Sequence, residues 1–264
     1  MWNNRTISVV FPAYNEEPNI EQAVRSFQEL GGNRNATLID EILVVDNNSK
    51  DRTAELARQA GAKVIAESNQ GYGNALIRGL REAIGDMIVL VEPDGTFVAQ
   101  DIYKLLAYSI DVGIVCGTRT TREMIWDGAN MSRPLRDGNW LVAKLMEVLY
   151  NTPSLSDCGC TFRLIHKDAA RAIAGDLHVG GSHFLPNMII AARMHDIRLI
   201  EIPVSYRGRI GESKITGTWK GTIKTALAML FLILSSWPRY LLRKRQGRHN
   251  PTAPRLSRKN DNAG

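Results

Sequence analysis

Met87–Val91 reads MIVLV, and Glu92-Pro93-Asp94-Gly95-Thr96 follows it directly. Five apolar residues in a row, three of them β-branched, are too few for a buried helix. They also lack the alternation of a half-exposed strand, so the run reads as a strand covered on both faces. The same signature recurs on either side, in Ile7–Phe11 (ISVVF), Glu41–Asp46 (EILVVD), Lys63–Ala66 and Val112–Cys116 (VGIVC). Helical patterns separate these runs. Pro18–Leu30 spaces Ile20, Val24, Phe27 and Leu30 along one face, and Gly73–Ile84 forms another helix. Between them Ser49 is placed to cap a helix that Gly61 ends. This alternation predicts an α/β fold, a mostly parallel sheet with helices on both sides.

The second part of the chain is less regular. Asp137–Tyr150 and Ser182–Met194 read as helices, and Thr161–Ile165 and Ile197–Tyr206 as strands. Thr120–Pro134 has little periodicity and is expected to form a loop over the site. With 264 residues and 44% hydrophobic content, the chain can bury one full-sized core. Three cysteines make no disulfide framework and suit a reducing compartment. Cys158 and Cys160 have no second pair nearby to complete a zinc site, so they read as small core residues. The N-terminus lacks the basic-then-apolar build of a signal peptide.

Ligands of open α/β sheets bind beyond the carboxyl ends of the strands. Three strands here end in polar groups: Pro12-Ala13-Tyr14-Asn15-Glu16-Glu17, Asp46-Asn47-Asn48-Ser49 and Glu92-Pro93-Asp94. Asp46 and Ser49 alone would read as helix caps, and Pro93 and Gly95 alone would explain an acidic turn. Together the three ends point to one crevice. Glu92 and Asp94 offer two carboxylates on one tight turn, the donor type that Mg²⁺ and Mn²⁺ prefer. A cation there would neutralise charge developing on a departing nucleoside diphosphate.

The sequence resembles the family 2 glycosyltransferases, and most closely the branch that transfers mannose or glucose to dolichyl or polyprenyl phosphate. The resemblance runs over roughly residues 5–215. It is carried by PAYNE at 12–16, VVDNNSKDRT at 44–53, NQGYGNALIRG at 69–79, VEPDGT at 91–96, GTR at 117–119, SDCGCTFR at 156–163 and EIPVSYRGRIGESK at 201–214. It implies a GT-A fold, a nucleoside-diphosphate sugar donor, Mg²⁺ or Mn²⁺ as cofactor, and inversion at the anomeric carbon. It places Pro12, Tyr14, Glu16, Asp46, Asn48, Gly71 and Pro93 about the nucleotide sugar. It sets Glu92 and Asp94 on the metal, with Glu92 departing from the family's usual Asp. Thr96 stands where some relatives carry a glutamine that touches the metal. Arg119, Arg136, Arg209 and Lys214 resemble cations that hold diphosphate or lipid phosphate, with Arg133 and Arg207 as neighbouring substitutes. Asp94, Asp157, Arg136 and Arg209 are the catalytic candidates.

A lipid phosphate needs no general base, because it is already ionised near neutral pH, the second pKa of a phosphomonoester being ~6. A hydroxyl acceptor would need one, and Asp157 and His183 are the candidates. The two readings, lipid-phosphate transfer and transfer to the hydroxyl of a lipid-linked saccharide or envelope glycan, therefore differ in whether a base works. A reading from another class, a non-catalytic binding protein using a basic tail, starts from the charge. Net +6 is concentrated in Arg239–Gly264, which carries eight Lys/Arg against one Asp. Its arginines lack the interleaved aromatic residues that stack on bases, so nucleic acid is not the expected partner.

The tail follows a charge-free run, Thr225–Trp237 (TALAMLFLILSSW), flanked by Lys220, Lys224, Arg239, Tyr240, Arg243, Lys244 and Arg245. At ~1.5 Å per residue the run covers about 20 Å, short of a ~30 Å bilayer core. The expectation is a helix lying on or dipping into an anionic membrane surface at its cytoplasmic face. A core helix or a contact between protomers of a homo-oligomer competes with it. The expected organisation is a catalytic domain over 1–218, a membrane-associated helix over 219–245 and a basic, disordered tail over 246–264.

Overall fold

A computed structural model describes residues 1–31, 37–129, 131–209 and 219–247. Seven strands among these residues form one sheet: β1 (Ile7–Ala13), β2 (Glu41–Asp46), β3 (Lys63–Ala66), β4 (Met87–Leu90), β5 (Ile114–Thr118), β6 (Arg163–His166) and β7 (Leu199–Pro203). Their order is β3-β2-β1-β4-β6-β5-β7. β6 runs antiparallel to β4 and β5, and every other pairing is parallel. Among the described residues, eight α-helices accompany the sheet: α1 (Ile20–Gln28), α2 (Thr53–Gln59), α3 (Tyr72–Glu82), α4 (Ile102–Tyr108), α5 (Arg133–Tyr150), α6 (Lys167–Ile173), α7 (Phe184–Met194) and α8 (Trp219–Gly247).

Strand side chains alternate between two cores. Val10, Leu43, Val45, Ile88 and Leu90 pack with α3, α5, α6, α7 and α8. Val9, Phe11, Val44, Met87 and Val89 pack with α1, α2 and α4. Both faces of the central strands are thus covered, as their unbroken apolar runs require. The architecture is the mostly parallel, GT-A-like α/β sheet expected from the sequence.

Several local expectations change. Helices α4 and α6 have seven residues each and were not evident in the pattern. Helix α5 starts at Arg133, four residues early, with Pro134 in its first turn where its missing N–H costs nothing. Ser49 does not cap α2. Its Oγ accepts from Asn15 N at 3.0 Å, and Asp51 Oδ1 instead accepts from Thr53 N at 3.0 Å. Gly61 does close α2, at φ +90°.

Helix α8 changes the length argument. It runs unbroken through Pro238 for 29 residues, about 43 Å, so the short charge-free run does not limit it. Gly221–Gln246 has the length and hydropathy to cross a bilayer. One side of α8 is nonetheless docked on the protein: Leu232, Ile233 and Tyr240 are buried. Tyr150 Oη donates to Ile233 O at 2.5 Å, and Tyr240 Oη to Tyr150 O at 2.9 Å. The other side bears the exposed Ile223, Leu227, Phe231 and Leu234. The tail expected over 246–264 lies outside the described residues beyond Gly247.

Candidate active site

The parallel pairing of β1 with β2 sets Pro12 beside Val45 and Ala13 beside Asp46, so the PAYNE and DNNS loops leave the sheet together. Asn15 and Asn48 both take left-handed backbones, at φ 53° and 63°, which asparagine tolerates better than most residues. The loops are cross-tied. Lys50 N donates to Asn15 Oδ1 at 2.8 Å, and Glu16 N to Thr53 Oγ1 at 2.8 Å. Asp46 Oδ1 accepts from Ser49 N, and Asn48 Nδ2 donates to Ser68 O. Buried Asn47, in the strand end Asp46–Ser49 but outside the expected set of binding residues, joins this wall to the next loop. Its Nδ2 donates to Glu67 O and Asn69 O, and its Oδ1 accepts from Gly71 N at 2.7 Å. Gly71, at φ +150°, and Gly73 lie against the 179–181 backbone with no room for a Cβ. Gly180 O accepts from Gly73 N at 2.8 Å and so occupies the start of α3.

The third strand end carries the acidic pair. Asp94 is 2% exposed. Its Oδ1 accepts from Thr96 N at 3.0 Å and Thr96 Oγ1 at 2.6 Å, so Thr96 orients the carboxylate. Asp94 Oδ2 is buried with no hydrogen bond of ordinary geometry, and its contact is an ion pair with Arg209. Glu92 Oε1 accepts from Thr161 Oγ1 at 2.9 Å, and Thr161 in turn meets Tyr72 Oη. Glu92 Oε2 accepts from Arg209 Nη2 at 3.2 Å. Burial, then the charge of Asp94, pushes the Glu92 carboxyl up to about 7 against the pull of Arg209. Two carboxylates, each with one oxygen engaged only by Arg209, offer the donor type of a divalent cation completed by phosphate and water oxygens. No set of three or more His, Cys, Asp or Glu gathers among the described residues, so the protein itself would supply only part of the coordination shell.

Arg119 and Asp157 form a second unit. Asp157 is fully buried and accepts from Arg119 Nε at 2.7 Å, Arg119 Nη2 at 3.0 Å and Arg119 N at 3.2 Å. Burial raises its carboxyl, but Arg119 outweighs that and holds it below the usual carboxylate range. Glu201 fixes the loop from below, accepting from Ser156 N and Asp157 N at 2.7 and 2.8 Å. Arg163, with no exposed surface, ties the same loop through Cys158 O, Cys160 O and Leu185 O. The Arg119 guanidinium lies 5.4 Å from the centre of the Tyr206 ring. The next residue, Arg207, donates its N–H to Thr96 O at 2.8 Å, which ties this unit to the turn that carries Asp94.

The other candidates fall in different places. Arg207 stacks on Trp126 at 4.1 Å. Arg136, in the first turn of α5, pairs with Asp137 at 3.6 Å and not with the acidic pair. Lys214 lies outside the described residues. His183 sits at the start of α7 without a side-chain cap bond, and burial lowers its pKa. Cys116, Cys158 and Cys160 are free and buried. Helix α8 borders the site: Thr225 Oγ1 meets Ser182 Oγ at 3.3 Å. A Cβ on Gly159 would lie 3.4 Å from Arg119 Nη2 and 3.8 Å from Met229 Cε.

The profile of glycosyl transferase family 2 matches residues 8–174. The chain belongs to this family. The glycosyltransferase is 31% identical over 80% of its length to the low-salt glycan biosynthesis hexosyltransferase of Haloferax volcanii, and spans half of that protein. It is 27% identical over 88% of its length to a dolichyl-phosphate beta-glucosyltransferase of Trichomonas vaginalis, spanning 75% of it. Its fold resembles that of glucosyl-3-phosphoglycerate synthase from Mycobacterium tuberculosis, with a TM-score of 0.65 at 20% identity, covering 87% of this chain and 80% of the other. That structure holds Mn²⁺, uridine diphosphate and glucosyl-3-phosphoglycerate.

Proposed function

We propose that this glycosyltransferase moves a sugar from a nucleoside-diphosphate sugar to a polyprenyl phosphate, with inversion, at the cytoplasmic face of an anionic membrane. The observation that carries this reading is the engagement of Asp157. Both of its oxygens are taken by Arg119, and Glu201 behind it is likewise occupied. Neither is free to take a proton from a hydroxyl, whereas an ionised phosphate has none to give up.

Pro12, Tyr14, Glu16, Asp46, Asn48, Gly71 and Pro93 form the donor wall in this account. Glu92 and Asp94 hold Mg²⁺ or Mn²⁺, which supplies positive charge at the departing diphosphate. Arg209 and Arg119 face the phosphates, with Arg136 and Lys214 as outer cations. Asp157 acts through Arg119 by fixing its guanidinium, and Tyr206 stacks beneath it. Exclusion of water around these buried charges strengthens their hold on a developing anion. Helix α8, bordering the site at Thr225 and Met229, would bring it to the plane where a lipid phosphate presents its head group.

Transfer to a hydroxyl is the second reading, with His183 at the start of α7 as its candidate base. The test is turnover of UDP- and GDP-hexoses with polyprenyl phosphate, polyprenol or no acceptor. Product from polyprenyl phosphate alone is expected. Equal turnover of polyprenol would favour the second reading.

A further inference from the structure

We propose that Arg209 is the resident counter-ion of the Glu92–Asp94 pair and must be exchanged for the divalent cation, so that metal and nucleoside diphosphate bind together. The inference rests on the metal-site reading above and adds the order of events to it. Arg209 Nη2 donates to Glu92 Oε2 at 3.2 Å and forms an ion pair with Asp94 Oδ2. These are the oxygens that the hydroxyl groups of Thr161 and Thr96 leave uncommitted. The guanidinium therefore stands where a cation would take its two protein ligands. It is itself only 24% exposed, and Glu16 adds a further negative charge to its surroundings.

A dication cannot share those oxygens with the guanidinium without strong like-charge repulsion at short range. Releasing Arg209 to water in the empty site would forfeit both carboxylate contacts. A diphosphate removes this obstacle. It offers the planar guanidinium a bidentate partner of the same charge type, and it gives the metal the oxygens that two carboxylates cannot supply. Arg209 thus couples the two ligands, and by reciprocity each raises the affinity of the other by the same factor.

The experiment titrates Mn²⁺ alone, Mn²⁺ with UDP and Mn²⁺ with GDP into wild type, Arg209→Gln and Arg209→Lys. The electron paramagnetic resonance signal of free Mn²⁺ is followed, with Asp94→Asn as the site control. Wild type is expected to bind Mn²⁺ at least about tenfold more weakly alone than with its preferred nucleotide, a coupling of ordinary size. Arg209→Gln is expected to bind Mn²⁺ alone more tightly than wild type and to lose most of the nucleotide effect. Arg209→Lys, which keeps the charge, keeps weak binding of Mn²⁺ alone. Arg209→Gln binding Mn²⁺ alone no better than wild type, while wild type still binds Mn²⁺ with nucleotide, would overturn the exchange and leave the metal site standing. Absence of Asp94-dependent Mn²⁺ binding under every condition would overturn the metal site itself.

Discussion

At the scale of single residues, the two oxygens of Asp94 have different work. Thr96 holds Oδ1 in place, and Oδ2 faces the space in which Arg209 sits. Asp94→Asn keeps the shape of the side chain but removes the charge that would hold a metal. Turnover is expected to fall by about 10²–10³, the usual cost of losing one group that stabilises developing charge. The melting temperature should change little. Normal turnover in this variant, or in excess chelator, would remove the metal from the account. Asp157 should behave differently. Asp157→Asn leaves Arg119 buried without its counter-ion, and breaking such a pair costs on the order of 3–5 kcal/mol. Denaturant unfolding should register that loss along with the drop in activity. A variant with full stability and no activity would return Asp157 to the role of a base.

At the scale of elements, α8 is fastened by polar groups that the hydrophobic pattern did not reveal. Asp176 Oδ2 receives His195 Nε2 at 2.7 Å and Arg243 Nη1 at 3.0 Å. Burial raises the Asp176 carboxyl, but the His195 hydrogen bond and the Arg243 charge outweigh it and bring the pKa below 3.8. A lowered carboxylate pKa contributes stability that is present above the unfolded value and lost as pH falls through the folded one. Asp176→Asn should therefore speed hydrogen exchange in α8 at neutral pH, by less than about 1 kcal/mol in opening energy because the Arg243 side chain is 42% exposed and screened by solvent. The difference from wild type should disappear below the carboxylate range. An equal difference at all pH values would show that charge is not what holds the helix.

Legibility in the sequence also varied by element. β2 and β3 were readable to the residue because their apolar runs meet abrupt polar ends. α4 and α6 were not, since two turns give a 3.6-residue period almost nothing to repeat over. The extent of α8 was hidden by its charged and proline-containing second half, which is helical through its contacts with Tyr150, Asp176 and Asp196. The acidic pair could be found from its place at a strand end. Thr161, Asn47, Tyr206 and Glu201 could not, because a neutral or distant group reveals its role only when the fold brings it to the charges it serves.

At the scale of the whole molecule, the exposed side of α8 and the site it borders make one prediction. Leu227 and Phe231 are 61% and 75% exposed, so Leu227→Glu with Phe231→Glu should preserve the fold. Wild type should float with anionic vesicles, and the double variant should remain largely in solution. Equal flotation would mean that this face does not meet the membrane. The central proposal concerns the chemistry: an ionised lipid phosphate attacks the anomeric carbon directly, in a single displacement. The most direct measurement is the anomeric configuration of the lipid-phosphate product, read from the proton coupling constant by nuclear magnetic resonance. Single displacement predicts the configuration opposite to that of the donor. A product that retains the donor's configuration would contradict the account.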